Sequence, residues 1–168
     1  MKKNIILIFI LCFSLLLNTQ VLSYTNSEDS FTNNISKTGN KNTNFSSGLN
    51  RIKKADKLYS KGKFKKAKKI YEDAIVYLLK ANKENSLNAD IIISLARSYD
   101  RSEKKDKAEI YYVLATEINP KNYYFNQLLG IFYVQTKKFD KANKRLTIME
   151  NCKCKEYNIL KNYIENNS

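Results

Sequence analysis

The sequence predicts an all-α protein, a solenoid of three helical hairpins closed by a further C-terminal helix, and three observations lead there. Ala67, Ala108 and Ala142 occupy matching points of a helix-turn-helix pattern, 41 and 34 residues apart, and a small residue recurring at such a period marks a helical repeat array. From Gly48 onward apolar residues recur three and four apart, the spacing of one face of a helix. The pattern breaks where helices are expected to end, around Gly62 and at Asn119-Pro120.

The first 23 residues stand apart from that domain. Lys2 and Lys3 precede a 13-residue apolar run from Ile5 to Leu17, interrupted only by Cys12 and Ser14, and Val21-Leu22-Ser23 follows as a cleavage region. Residues 1–23 are therefore expected to be a secretory signal peptide. A membrane-spanning helix wants about 20 apolar residues, so an uncleaved anchor is the second reading. Cys12 does not fit a lipidation site, because Leu11 fills the place where a small residue is needed.

Residues 24–47 are rich in Asn, Ser and Thr, with two isolated phenylalanines and no helical or alternating period. Such a segment buries too little to offset its ordering entropy and is expected to be a disordered linker. The repeat domain then covers 48–168, with hairpins at 48–88, 89–122 and 123–154. Gly62 relieves a tight helix end in the first, Asn88 is the N-cap of the second, and Asn119-Pro120 closes it. The first hairpin is seven residues longer than the second. Seven residues are about two helical turns, so its second helix is expected to run on to about Asn82 with unchanged register. At 155–166, Tyr157, Leu160 and Ile164 fall on one stripe, as a capping helix needs.

Counted from Gly48, Ala89 and Tyr123, the eighth position of each hairpin holds Ala55, Ala96 and Gly130, and the twentieth holds the three alanines. The eleventh holds Leu58, Tyr99 and Tyr133, and the twenty-fourth Tyr71, Tyr112 and Leu146. Small residues where helices touch and large ones that wedge between them, at these positions, resemble the tetratricopeptide repeat. The departures are Lys105 at position seventeen, where Phe64 and Phe139 hold the other two repeats, and Met149 at position twenty-seven, which suggests looser packing at the C-terminal end. The resemblance implies a right-handed superhelix that binds other proteins and rarely does chemistry.

It also implies a binding groove lined by the first helix of each repeat. The candidate groove residues are Ile52, Asp56 and Tyr59 in the first repeat, Ile93, Arg97, Asp100 and Arg101 in the second, and Tyr124, Gln127, Leu128, Ile131 and Val134 in the third. The family's chaperone-adaptor branch clamps a terminal carboxylate with Lys, Asn and Arg, but the matching places here hold Ile52, Asp56, Ser94, Tyr124 and Leu128. What remains is a charged middle beside an apolar strip at Tyr124, Leu128, Ile131 and Val134, which is either exposed and suited to a segment of a partner protein or covered by the C-terminal helix folding back over it. Tyr99, Tyr112, Phe132 and Tyr133 are expected to be core.

The chain carries 30 basic and 16 acidic residues for a formal charge of +14, which becomes +12 once Lys2 and Lys3 leave with the signal peptide. Such an excess draws in polyanions or anionic surfaces. Its densest part includes Lys61, Lys63, Lys65, Lys66, Lys68 and Lys69, a candidate patch for an anionic membrane surface. Nucleic-acid recognition would add aromatic residues for stacking, yet Tyr59 and Phe64 have repeat-pattern places, so no nucleic-acid partner is expected. With no histidine and no phosphate-cradling glycine loop among four glycines, no catalytic residue, small-molecule substrate or cofactor is expected. Cys152 and Cys154 alone make a poor metal site, and outside the cytoplasm they should oxidise, within the chain or between chains. The expected function is that of an exported adaptor or scaffold at a cell envelope, periplasmic or envelope-associated, with anionic-surface binding as the alternative.

Overall fold

The computed structural model describes Phe31, Ile35 and residues 43–167. The expected signal peptide lies outside the described residues, as does most of the expected linker. Within residues 43–167 seven α-helices follow one another: α1 (Thr43–Tyr59), α2 (Phe64–Glu84), α3 (Ala89–Arg101), α4 (Lys105–Ile118), α5 (Tyr123–Gln135), α6 (Phe139–Ile148) and α7 (Lys155–Glu165). A 3₁₀ turn at Glu150–Cys152 joins the last two, and there is no strand among the described residues. Helices α1/α2, α3/α4 and α5/α6 pair as antiparallel hairpins, each hairpin stacks on the next, and α7 packs on α5 and α6.

Each hairpin closes in the same way. The residue at position fifteen takes a left-handed conformation, with φ of 68° at Gly62, 65° at Glu103 and 60° at Lys137. The next amide reaches back to the carbonyl five residues earlier: Lys63 to Leu58 at 2.9 Å, Lys104 to Tyr99 at 2.9 Å and Lys138 to Tyr133 at 2.8 Å. This is the Schellman closure of a helix end. It costs nothing special at Gly62, but side chains at Glu103 and Lys137 hold a conformation that L-residues disfavour. The junctions between hairpins repeat as well. The Asn88 side chain accepts from the amides of Asp90 and Ile91 at 3.0 and 3.2 Å, and Asn122 accepts from Phe125 at 3.1 Å.

Ala67, Ala108 and Ala142 are fully buried, as are Ala55, Ala96, Ala74 and Ala115. A Cβ added to Gly130 would lie 2.5 Å from Leu160, so the small eighth position of the third hairpin is what lets α7 settle on α5. Met149 is also fully buried, so the C-terminal end is filled there rather than loosened. Phe64, by contrast, is 51 % exposed and lies edge-on to Tyr59 with ring centres 4.8 Å apart. Between hairpins two and three, Glu109 accepts from both Lys138 and Lys141. Burial alone would push the Glu109 carboxyl up, but these hydrogen bonds outweigh it and hold the group below its ordinary range.

Two differences from the sequence reading concern helix length and the linker, while the cysteines take one of the two states expected of them. Helix α2 runs to Glu84, two residues beyond the expected end. Helix α1 starts at Thr43, ahead of the expected boundary at Gly48, because Phe45 is a core residue at 2 % exposure. Phe31 and Ile35, also placed in the expected linker, are helical and buried. Cys152 and Cys154 form a disulfide with each other.

Lys137→Gly removes the left-handed side chain from an exposed turn and should raise stability by on the order of 1 kcal/mol, while Gly62→Ala should lower it by a similar amount. Urea unfolding followed by circular dichroism measures both, and equal stability of all three proteins would contradict the assigned turn.

Candidate functional site

The first helices of the hairpins, α1, α3 and α5, present the expected groove residues from equivalent positions. Asp56 and Arg97 are both ninth in their repeats, and the structure joins them: Arg97 Nη2 donates to Asp56 Oδ1 at 2.8 Å. The Tyr71 hydroxyl, from α2, donates to the same oxygen. Arg97 is only 2 % exposed, so the floor between the first two repeats holds an enclosed ion pair rather than a solvated one. Burial, above all, holds the Tyr71 phenol well above the ordinary tyrosine range, keeping its proton available for Asp56.

One turn beyond Arg97, the Arg101 guanidinium lies over the Tyr59 ring, 4.2 Å from its centre. Positively charged Arg97 faces a second ring: Phe31, with its centre 4.6 Å from the guanidinium carbon. Phe31 also meets Tyr124 of the third repeat, ring centres 6.4 Å apart. A chain of contacts thus runs from Asp56 through Arg97 and Phe31 to Tyr124, and Phe31 comes from outside the expected repeat domain.

The structure sorts the remaining sequence candidates. Ile52 and Ile93 are fully buried core residues. Asp100 is buried and is drawn to Lys105 at the start of its own second helix. Gln127 is enclosed at 2 % exposure. Of the two states expected for the apolar strip, the structure holds the closed one: Leu128, Ile131 and Val134 are 6, 4 and 2 % exposed. Tyr124 alone of that strip is half-buried. Tyr99, Tyr112, Phe132 and Tyr133 are core, at 5 % exposure or less.

Sequence reading missed Phe31 and Tyr71 as parts of this site, and the burial of Ile35. Tyr71 was placed as a wedge between helices, which it is, but its hydroxyl also serves Asp56. The only available signal for Phe31 and Ile35 was their separation of four residues, the spacing of one helix face, in a segment otherwise without a period.

The lysine cluster lies elsewhere, around the α1–α2 turn and the first turns of α2. Lys61, Lys63, Lys65, Lys66 and Lys69 are exposed. Lys68 is half-buried and pairs with Glu103 in the turn of the second hairpin, and Lys104 crosses the same junction to Glu72 at 3.3 Å. Lys68 is therefore a link between repeats rather than part of a free patch. Among the described residues no group of three or more His, Cys, Asp and Glu side chains could hold a metal ion.

Helical hairpins stacked in sequence order define a helical-repeat protein. The family model described as tetratricopeptide repeat matches residues 89–122, the bounds expected for the second hairpin, and that hairpin is a tetratricopeptide repeat. No curated protein matches the chain. Tetratricopeptide repeats mediate protein–protein interaction or scaffolding and are typically non-enzymatic.

Asp56→Ala leaves the Arg97 charge enclosed without its carboxylate and should destabilise the fold by about 3 kcal/mol, whereas Asp56→Leu with Arg97→Met should recover most of that loss. Chemical denaturation of the three variants checks this, and a loss below about 1 kcal/mol for the single variant would contradict a buried pair.

Proposed function

We propose that the chain is an exported adaptor that holds a segment of a partner protein in its concave groove, in an assembly at a cell envelope. The observation that carries the reading is that the first helices of three stacked repeats bring together Asp56 and Arg97, at equivalent positions, with Arg101 against Tyr59 and with Tyr124. Arg97 is fixed by Asp56 and Arg101 lies against Tyr59, so their planar heads are held in place before a partner arrives. Pre-positioned side chains of this kind reduce the ordering cost of binding. Support for export is the basic, apolar and small-residue order of residues 1–23.

A second reading, binding to an anionic surface, is favoured by the exposure of Lys61, Lys63, Lys65, Lys66 and Lys69 on one hairpin. Each lysine near such a surface contributes about 1 kcal/mol and is screened by salt. The two readings differ in salt response and in the variants that abolish them.

With the full chain as bait in an envelope extract, a discrete protein should remain bound after a wash at roughly 0.5 M salt, where screening reaches only about 4 Å. Arg101→Glu with Tyr124→Ala should lose that protein, and Lys65→Glu with Lys66→Glu and Lys69→Glu should keep it. Loss in the lysine variant alone, or release by salt, would replace the adaptor reading with the surface reading.

A further inference from the structure

Residues 24–47 have a composition that should stay out of a core, yet two of their few apolar side chains are among the most enclosed in the protein. Phe31 is fully buried and Ile35 is 1 % exposed, both in helical conformation. Residues four apart in a helix share a face, so the two act as one apolar edge. Phe31 reaches the groove at Arg97 of the second repeat and Tyr124 of the third. The strip of Leu128, Ile131 and Val134, which lies on the same α5 as Tyr124, is closed to solvent as well.

This rests on the reading of the groove as the binding face. We propose that the groove is a receptor for a short helix presenting an aromatic and a β-branched aliphatic residue four positions apart, and that Phe31 and Ile35 of the same chain occupy it. A partner segment bearing the same pair binds by displacing them. The tether is long enough: the 12 residues from Phe31 to Thr43 can span up to about 40 Å. It is also short enough to matter. A segment held by a short linker acts at about 1 mM, so a free segment of equal affinity at 10 μM is outcompeted about 100-fold. The resting groove is closed to weak partners and opens to one that binds more tightly or that first captures the N-terminal segment.

The test uses a fluorescent synthetic peptide of residues 26–41 and anisotropy titration. Against the full chain carrying Phe31→Asp and Ile35→Asp, the peptide should bind at least tenfold more tightly than against the unmodified chain. A peptide with the same two substitutions should bind neither. Equal binding to both chains, or none to a double variant with an unchanged circular dichroism spectrum and melting curve, overturns the proposal. Should the double variant unfold, a protease site introduced at residues 38–41 opens the groove without touching the core. The cut protein, diluted so that its N-terminal piece leaves, should bind the peptide, and a folded cut protein that does not bind it overturns the proposal. Peptide binding to the opened groove while the Arg101→Glu and Tyr124→Ala variant keeps its envelope partner would sink the adaptor reading alone. An envelope partner that needs the groove, with no peptide binding to the opened chain, would sink this one alone.

Discussion

Ala67, Ala108 and Ala142, at the matching point of each hairpin, are fully buried, and the small side chain at that enclosed point is the constraint on which the rest of the fold depends. A bulkier side chain at a fully buried position of this kind forces strain or displacement, typically 1–3 kcal/mol. The same left-handed closure at Gly62, Glu103 and Lys137 sets the register of each hairpin. The Asn88 and Asn122 caps start the first helices of the second and third hairpins in the same way. Asp56 and Arg97 come within hydrogen-bond distance, although they are 41 residues apart in sequence.

Burying that pair is not a simple gain in stability, since desolvation opposes the attraction. Its consequence is geometric. Arg97 is held by Asp56, which also accepts from Tyr71, and so the guanidinium offers a fixed face toward the groove. Phe31 lies against that face, where the positive charge meets the electron-rich ring. The aromatic side of the site is completed by Tyr124 from the next repeat. A residue far outside the repeats thereby bridges two of them.

Much of the fold was legible because repeated positions reinforce one another. No single alanine identifies a helix contact, but Ala55, Ala96 and Gly130 together with the three alanines of position twenty do. The long α2 followed from counting turns, and the Asn88 cap from its place before an apolar run. Site residues were less legible. Arg97 and Asp56 were visible as charges on the correct face, yet their mutual burial depends on tertiary distance that no local pattern encodes. Leu128, Ile131 and Val134 are closed instead of open, and local pattern could not decide this, because it turns on tertiary packing against α5, where α7 lies. Phe31 and Ile35 escaped notice since two apolar residues among Asn, Ser and Thr carry almost no periodic signal, and their burial comes from a surface made by distant repeats. Phe45 escaped for the same reason, and with it the true start of α1.

Phe31 lies against Arg97 of the second repeat and Tyr124 of the third, and the proposed role of that face depends on this contact. Nuclear Overhauser spectroscopy on protein with labelled Phe and Tyr rings tests this most directly, because ring centres 6.4 Å apart bring some ring protons of Phe31 and Tyr124 within range of each other. Cross-peaks between these two rings, with Phe31 resonances shifted away from those of an exposed phenylalanine, are the predicted result. Phe31 resonances at solvent-exposed positions without contacts to Tyr124 would contradict the account.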